Sequence, residues 1–325
     1  MGKFLETEKH KQIYFKKTSA SISQAAKEDG FFRDKPRPFC LPQYLSVENL
    51  FPPIRETAIN YFHNHQIHWH QGIKEMPSNH MCDSMVCGVN FLFPFTDQPG
   101  ALEKLLSPYY PDLARMLPIE DGCYVAFEWI GAENYLAEHG SKDGQRTRGA
   151  NFTSNDAAVF FERKDGLKQI VLIEWKYTES YSPTSLKVTK SGTDRTQIYL
   201  PLYEKADCIV DQNKVPTFED LFYEPFYQFF RQQLLAQEME KARELEADKV
   251  SLLHIAPENN LDFKRVTSPA LLPLGSTATE VWHSLLRHPD RFLSLGTRQL
   301  YGSFGHDEMK DWKQYMLERY PGIFI

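Results

Sequence analysis

Residues 155 to 177 constrain the fold of this chain more than any other stretch, because they read as a single β-hairpin. One arm is Asn155-Asp-Ala-Ala-Val-Phe-Phe-Glu162 and the other Gln169-Ile-Val-Leu-Ile-Glu-Trp-Lys-Tyr177. The second is rich in β-branched residues, and Arg163-Lys-Asp-Gly-Leu-Lys168 between them carries the Asp-Gly signal that folds two such runs against each other. Side chains alternate along a strand, so Glu174 and Lys176 share a face. Antiparallel pairing brings Asp156, near the start of its arm, towards the end of the other, where Glu174 and Lys176 lie.

Two carboxylates and a lysine leaving an apolar strand pair together suit metal-assisted phosphodiester hydrolysis. Paired carboxylates attract a hard divalent cation that keeps several waters, polarises a phosphoryl oxygen and lowers the pKa of a bound water. A nearby lysine positions the nucleophile or stabilises developing charge. The order Asp156, hairpin, Glu174-Trp175-Lys176 resembles the PD-(D/E)XK nuclease superfamily, with Asn155 in place of the proline that precedes the acid. Only the acid has chemistry to do there. Tyr135-Leu-Ala-Glu138, Arg148-Gly-Ala-Asn-Phe-Thr-Ser-Asn-Asp156 and Glu174-Trp-Lys-Tyr-Thr-Glu179 narrow the resemblance to its PGN_0703-like restriction endonucleases, over roughly residues 60 to 260.

That resemblance implies catalytic residues Asp156, Glu174 and Lys176, and a Mg²⁺ site, with Mn²⁺ as substitute. Asp156, Glu174 and the Trp175 carbonyl would hold the metal, joined by an acid upstream of the hairpin. Two glutamates compete for that place. Glu138 ends a stretch that reads as a short helix; Glu128 lies in Tyr124-Val-Ala-Phe-Glu-Trp-Ile130, an apolar run that reads as the first strand, where a buried charge needs a partner or a metal. Glu138 is slightly preferred. Glu179 faces away from Glu174 and Lys176 if the strand continues, because odd spacing flips the face.

After the hairpin the chain turns polar and basic, and Lys187, Lys190 and Arg195 are candidate phosphate contacts. A helix expected from Phe218 to about Ala247 carries Gln228 and Arg231 on one face, and both are further substrate-binding candidates. Lys249 to Ala256 reads as a strand ended by Pro257. Upstream helices are expected over Arg55 to Gln66, Ser78 to Phe93 (opened by Ser78), Ala101 to Leu106 and Asp112 to Leu117; downstream helices over Ser276 to Arg287, Asp290 to Tyr301 and Glu308 to Tyr320.

The pattern predicts an α/β fold: a small mixed β-sheet of restriction-endonuclease-like type flanked by helices, with helical N- and C-terminal extensions. The expected organisation is a helical region over 1–118, a nuclease-like core over 119–262 and a helical extension over 263–325, packed as one unit.

His63, His65, His68, His70, His80, Cys82 and Cys87 crowd one segment, but the spacing lacks the paired ligands of a structural zinc site. His70 or His80 lining a cleft is a further option, and Ser84 and Asn90 are equally ambiguous.

A chain of 325 residues, 42% of them hydrophobic and 14% aromatic, can bury a sizeable core without metals or disulfides. Its five scattered cysteines, with no signal peptide or long apolar segment, point to a reducing cytoplasm and away from membranes. A net charge of −6 argues against a protein that coats nucleic acid; a nuclease needs only a local basic groove, for which Arg33-Asp-Lys-Pro-Arg37 and the 187–195 loop are candidates. The sequence therefore predicts a Mg²⁺-dependent endonuclease acting on nucleic acid, DNA in the first instance, with a homodimer plausible because a duplex has two strands to cut. The alternative is a nucleic-acid- or partner-binding module on a nuclease scaffold without efficient catalysis.

Overall fold

The computed structural model describes residues 2–73, 75–138, 146–150, 152–304 and 309–324. The chain opens with helix α1 (Lys3–Thr18) and a two-stranded ribbon, β1 (Gly30–Phe32) and β2 (Lys35–Arg37). Helices α2 (Arg55–Asn64), α3 (Ser84–Leu92) and α4 (Pro99–Leu106) follow, then strands β3 (Leu113–Leu117), β4 (Val125–Trp129), β5 (Asn155–Arg163) and β6 (Lys168–Trp175). Helices α5 (Thr196–Tyr203) and α6 (Phe226–Ala242) lead to β7 (Lys249–Ala256), and α7 (Ala278–Leu285) to β8 (Phe292–Gly296). Short α8 (Thr297–Gly302) and α9 (Lys310–Arg319) end the chain.

The hairpin forms because its turn closes cleanly. Gly166 takes φ 82°, and the Arg163 N–H donates to the Leu167 carbonyl at 2.8 Å. With β5 and β6 so paired, β3 and β4 line up in succession along the other edge of β5, both antiparallel to it. Strands β7 and β8 then add in parallel beside β6. The result is a six-stranded mixed sheet flanked by helices, the α/β architecture the sequence predicts.

Each sheet face carries its own apolar core. Val159, Val171 and Ile173 face a layer that includes α3 and α9, with Phe91, Trp175 and Trp312 packed together. Ala158, Phe160 and Leu172 face α5, α6 and α7, with Phe229, Phe230 and Trp282. Since both faces are covered, the central strands are continuously apolar rather than alternating.

Several elements differ from expectation. Asp112 to Leu117 is not a helical piece: Leu113–Leu117 is the edge strand β3, because backbone pairing with β5 overrides a short apolar pattern. Val125–Trp129 is therefore the second strand along that edge rather than the first. Asp290 to Tyr301 divides into the edge strand β8 and the short α8. The long helix expected from Phe218 breaks at Pro225, with a 3-10 turn over Phe218–Phe222 and α6 starting at Phe226. The helix expected from Ser78 starts only at Ser84, capped by Asp83, whose carboxylate accepts the Val86 N–H at 2.9 Å; the Ser78 hydroxyl instead accepts from the His80 N–H. The Tyr135 to Glu138 stretch forms turns, not a helix. Residue 308, where the last predicted helix begins, lies outside the described residues, and α9 starts at Lys310. Among the described residues no helix is long and apolar enough to cross a membrane.

Candidate active site

The hairpin register assembles the site. Ala157 pairs with Ile173, so one step further along the same antiparallel register Asp156 stands opposite Glu174. The Trp175 backbone N–H donates to Asp156 Oδ2 at 2.6 Å, which fixes that carboxylate against the end of β6. Lys176, on the same face as Glu174, forms an ion pair with its Oε1. Its own backbone N–H donates to the Ile255 carbonyl at 2.8 Å, continuing the parallel pairing with β7 just past the end of β6. Glu174 and Lys176 are buried and Asp156 is half-buried. The three residues predicted as catalytic are thus brought together at the carboxyl end of β6.

Helix α6 supplies a roof. Gln228 Nε2 donates to Glu174 Oε1 at 2.6 Å, and Gln232 Nε2, one turn on, donates to Glu174 Oε2 and, at 3.2 Å, to the Ser154 carbonyl. Gln228, a substrate-binding candidate by sequence, bonds a site carboxylate in the structure. Gln232 was not singled out, although its i,i+4 spacing from Gln228 was a usable signal.

Glu128 is the upstream acid that enters this group. Phe127 pairs with Ala157 and Trp129 with Asn155, which places Glu128 beside Asp156 on the neighbouring strand. Glu128 takes φ 48°, left-handed backbone in mid-strand, and the alternation flips there: Phe127 packs in one core and Trp129 in the other. Such outliers persist where surroundings enforce them, often at functional sites. The Ser154 hydroxyl donates to Glu128 Oε2 at 2.6 Å. Glu128 and Asp156 together line a small cavity of about 10 Å³ with Phe62, Met85, Gly88 and Trp175 among its walls.

The charges strain against their burial. Burial, reinforced by the Glu174 charge, raises the Asp156 carboxyl well above the usual carboxylate range. Burial pushes Glu128 up to about 7, against the Ser154 hydrogen bond, with Glu174 adding to the rise. Burial pulls Lys176 down, yet Glu174 foremost among its neighbours holds the ammonium well above its ordinary value. His254, in register with Glu174 on β7, is pushed down to about 3 by burial and then by Lys176, so it stays neutral. Burial thus pushes Asp156 and Glu128 towards their neutral forms, while Lys176 keeps its ion pair with Glu174.

Glu138 is placed elsewhere. Its carboxylate accepts the Thr153 N–H at 2.7 Å, the Thr153 hydroxyl at 2.6 Å and the Tyr199 hydroxyl at 2.7 Å. Glu179 folds back to accept the Tyr177 N–H at 2.7 Å, since β6 has already ended. The Trp175 carbonyl accepts from the Ser84 hydroxyl at 3.2 Å. Among the predicted phosphate contacts, Arg195 and Arg231 flank the Tyr227 ring at 5.3 and 4.6 Å, and Arg231 also donates to the Thr153 hydroxyl at 3.1 Å. Lys187 pairs with Glu219 at 3.2 Å, and Lys190 is exposed on the same loop.

The histidine-rich segment disperses. His63 pairs with Glu75 at 2.8 Å, and His65 faces Glu120 and Asp121. His80 packs between Phe32 and Phe39, where burial pushes it down to about 4. His70 is exposed, with Asp83 3.9 Å away raising its pKa. Asn90 bonds Phe51, Asn49 and Tyr320 within the core. Among the described residues no three His, Cys, Asp or Glu side chains are grouped so as to hold a metal ion, at the hairpin or in this segment.

The chain belongs to the family described as restriction endonuclease associating with ARP, whose profile matches residues 8–321. No curated protein and no solved structure matches the chain.

Proposed function

We propose that this protein is a metal-dependent endonuclease of the PD-(D/E)XK type that hydrolyses phosphodiester bonds in DNA. The observation that carries this reading is the register that sets Asp156 beside Glu174 with Lys176 on the same face, at the carboxyl ends of the sheet's parallel strands. Crevices outside strand carboxyl ends are where α/β sheets bind ligands. Membership of a restriction-endonuclease family agrees with it.

As they stand, these acids are not grouped to hold a metal ion. In this reading the carboxylates of Asp156, Glu174 and Glu128 and the Trp175 carbonyl, which offer only oxygen, draw together on a hard cation, and the Asp156 and Glu128 carboxyls give up their protons as it binds. Glu128 rather than Glu138 is the upstream ligand in this account, since Glu138 is engaged by Thr153 and Tyr199. Mg²⁺, or Mn²⁺ in its place, would supply Lewis acidity at the phosphate and lower the pKa of water there. Lys176, held as the ammonium, orients the attacking water and stabilises charge developing on the phosphate rather than removing a proton. Gln228 and Gln232 fix the rotamer of Glu174. Arg195 and Arg231, stacked on Tyr227, bear on substrate phosphate, with Lys187 and Lys190 contributing long-range attraction. Two copies acting together would cut both strands, and the free cysteines suit a reducing compartment such as the cytoplasm.

An Asp156→Asn variant should retain the fold by circular dichroism and lose cleavage of DNA; undiminished cleavage contradicts the assignment. A second reading, a nucleic-acid-binding module without efficient catalysis, is favoured by one observation: Lys176, Gln228 and Gln232 already claim both oxygens of Glu174. Under it, wild type and Asp156→Asn bind DNA alike and neither cleaves.

A further inference from the structure

The β1–β2 ribbon stands apart from both cores and pairs with no strand of the main sheet. Its register sets Phe31 opposite Pro36 and Phe32 opposite Lys35. Phe32 turns inward and packs on His80, whereas Phe31 is 64% exposed and Pro36 beside it is also exposed. The tip, Arg33-Asp34, holds both residues in left-handed backbone at φ 51° and 59°, the tight hairpin geometry usually left to Asn and Gly. Arg33 and Lys35 are exposed and have no carboxylate within ion-pairing distance among the described residues, in a chain whose net charge is −6, whereas Arg37 is half-buried with its Nε out of solvent.

The ribbon is connected to the candidate site through the segment around His80. The Gly30 N–H donates to the Cys40 carbonyl at 3.0 Å, the Met81 N–H to the Phe39 carbonyl at 3.1 Å, and Cys40 bridges His80. Three residues beyond Met81, Ser84 donates to the carbonyl of Trp175, between Glu174 and Lys176. The ribbon is thus anchored on the segment that leads into Ser84 and α3.

We propose that this ribbon grips duplex DNA, entering a groove with Arg33 and Lys35 against the phosphates and the Phe31–Pro36 face against the bases. A two-stranded ribbon is narrow enough for a groove, and apolar wedges of Phe or Pro pressed on base steps are a known means of holding a deformed duplex. The charge complementarity selects a polyanion over an apolar protein partner. The proposal rests on the nuclease reading for its purpose but is tested by binding alone.

The test is anisotropy titration of a labelled duplex and the matching single strand by the full chain in Ca²⁺, across a salt series, with 2-aminopurine in the duplex reporting unstacking. Phe31→Ala should weaken duplex binding about tenfold and suppress the 2-aminopurine signal. Arg33→Ala/Lys35→Ala should lower the slope of log affinity against log salt by about 2. Both sites are exposed, so the fold is not at stake. Wild-type affinity in Phe31→Ala, an unchanged salt slope in the charge variant, or ribbon-dependent binding confined to single strands overturns the proposal. Wild-type cleavage of DNA separates the two readings: cleavage with ribbon-independent binding removes the ribbon alone, and ribbon-dependent binding without cleavage removes the nuclease alone.

Discussion

Gln228 donates from Nε2 to Oε1 of Glu174 across 2.6 Å, so a helix on one face of the sheet dictates where a strand-end carboxylate points. Gln232 makes the matching contact to the other oxygen. Replacing either by leucine removes a donor while keeping much of the volume. Residues that orient a metal-site ligand are worth about ten- to a hundredfold in metal affinity or activity. Gln232→Leu is therefore expected to slow cleavage by that factor, measured in single-turnover assays at saturating Mg²⁺.

Glu128 makes folding stability depend on pH. Its ordinary value of 4.5 is raised to about 7 in the folded chain, so the folded state keeps a proton that the unfolded chain releases. The resulting stabilisation is complete below pH 4.5 and is lost as pH rises through about 7; Asp156 acts in the same direction. Glu128→Gln cannot ionise. Metal-free Glu128→Gln should therefore melt higher, relative to wild type, at pH 8 than at pH 5. Ca²⁺ should raise the wild-type melting temperature more at pH 8, because metal and proton compete for the same carboxyls.

In the proposed reading Glu138 has a structural place, held by Thr153 and Tyr199. Glu138→Ala strands the Thr153 N–H and hydroxyl and the Tyr199 hydroxyl, and unsatisfied buried groups cost about 1–3 kcal/mol each. Urea denaturation should show a loss of about 2 kcal/mol or more, with cleavage largely retained at temperatures well below the melt.

Gly149 sits at φ 77°, and a Cβ there would lie 2.6 Å from the His68 carbonyl oxygen and 3.5 Å from Glu128 Cγ. Gly149→Ala combines a backbone clash with a left-handed conformation unfavourable to alanine. It is expected to destabilise by about 1–3 kcal/mol and to displace Glu128, read as a lower denaturation midpoint together with weaker metal binding.

The parts of the fold that local pattern controls were legible. The β5–β6 hairpin follows from its β-branched arm and Asp-Gly turn, and the alternation that sets Glu174 and Lys176 on one face is a property of any strand. Strand β3 was not legible, because Leu113, Met116 and Leu117 also fit helical spacing and only pairing with β5 makes them a strand. The same holds for β8, whose pairing partner β7 lies 36 or more residues earlier. The choice between Glu128 and Glu138 turns on a left-handed backbone at Glu128 and on the partners of Glu138, Thr153 and Tyr199, neither of which a linear pattern records.

The most direct measurement is divalent-metal-dependent cleavage of plasmid, linear duplex, single-stranded and branched DNA by the purified protein beside its Lys176→Ala variant. The account predicts cutting with Mg²⁺ or Mn²⁺ that the variant loses. Cutting that survives in Lys176→Ala, or none with any metal in the wild type, would contradict it.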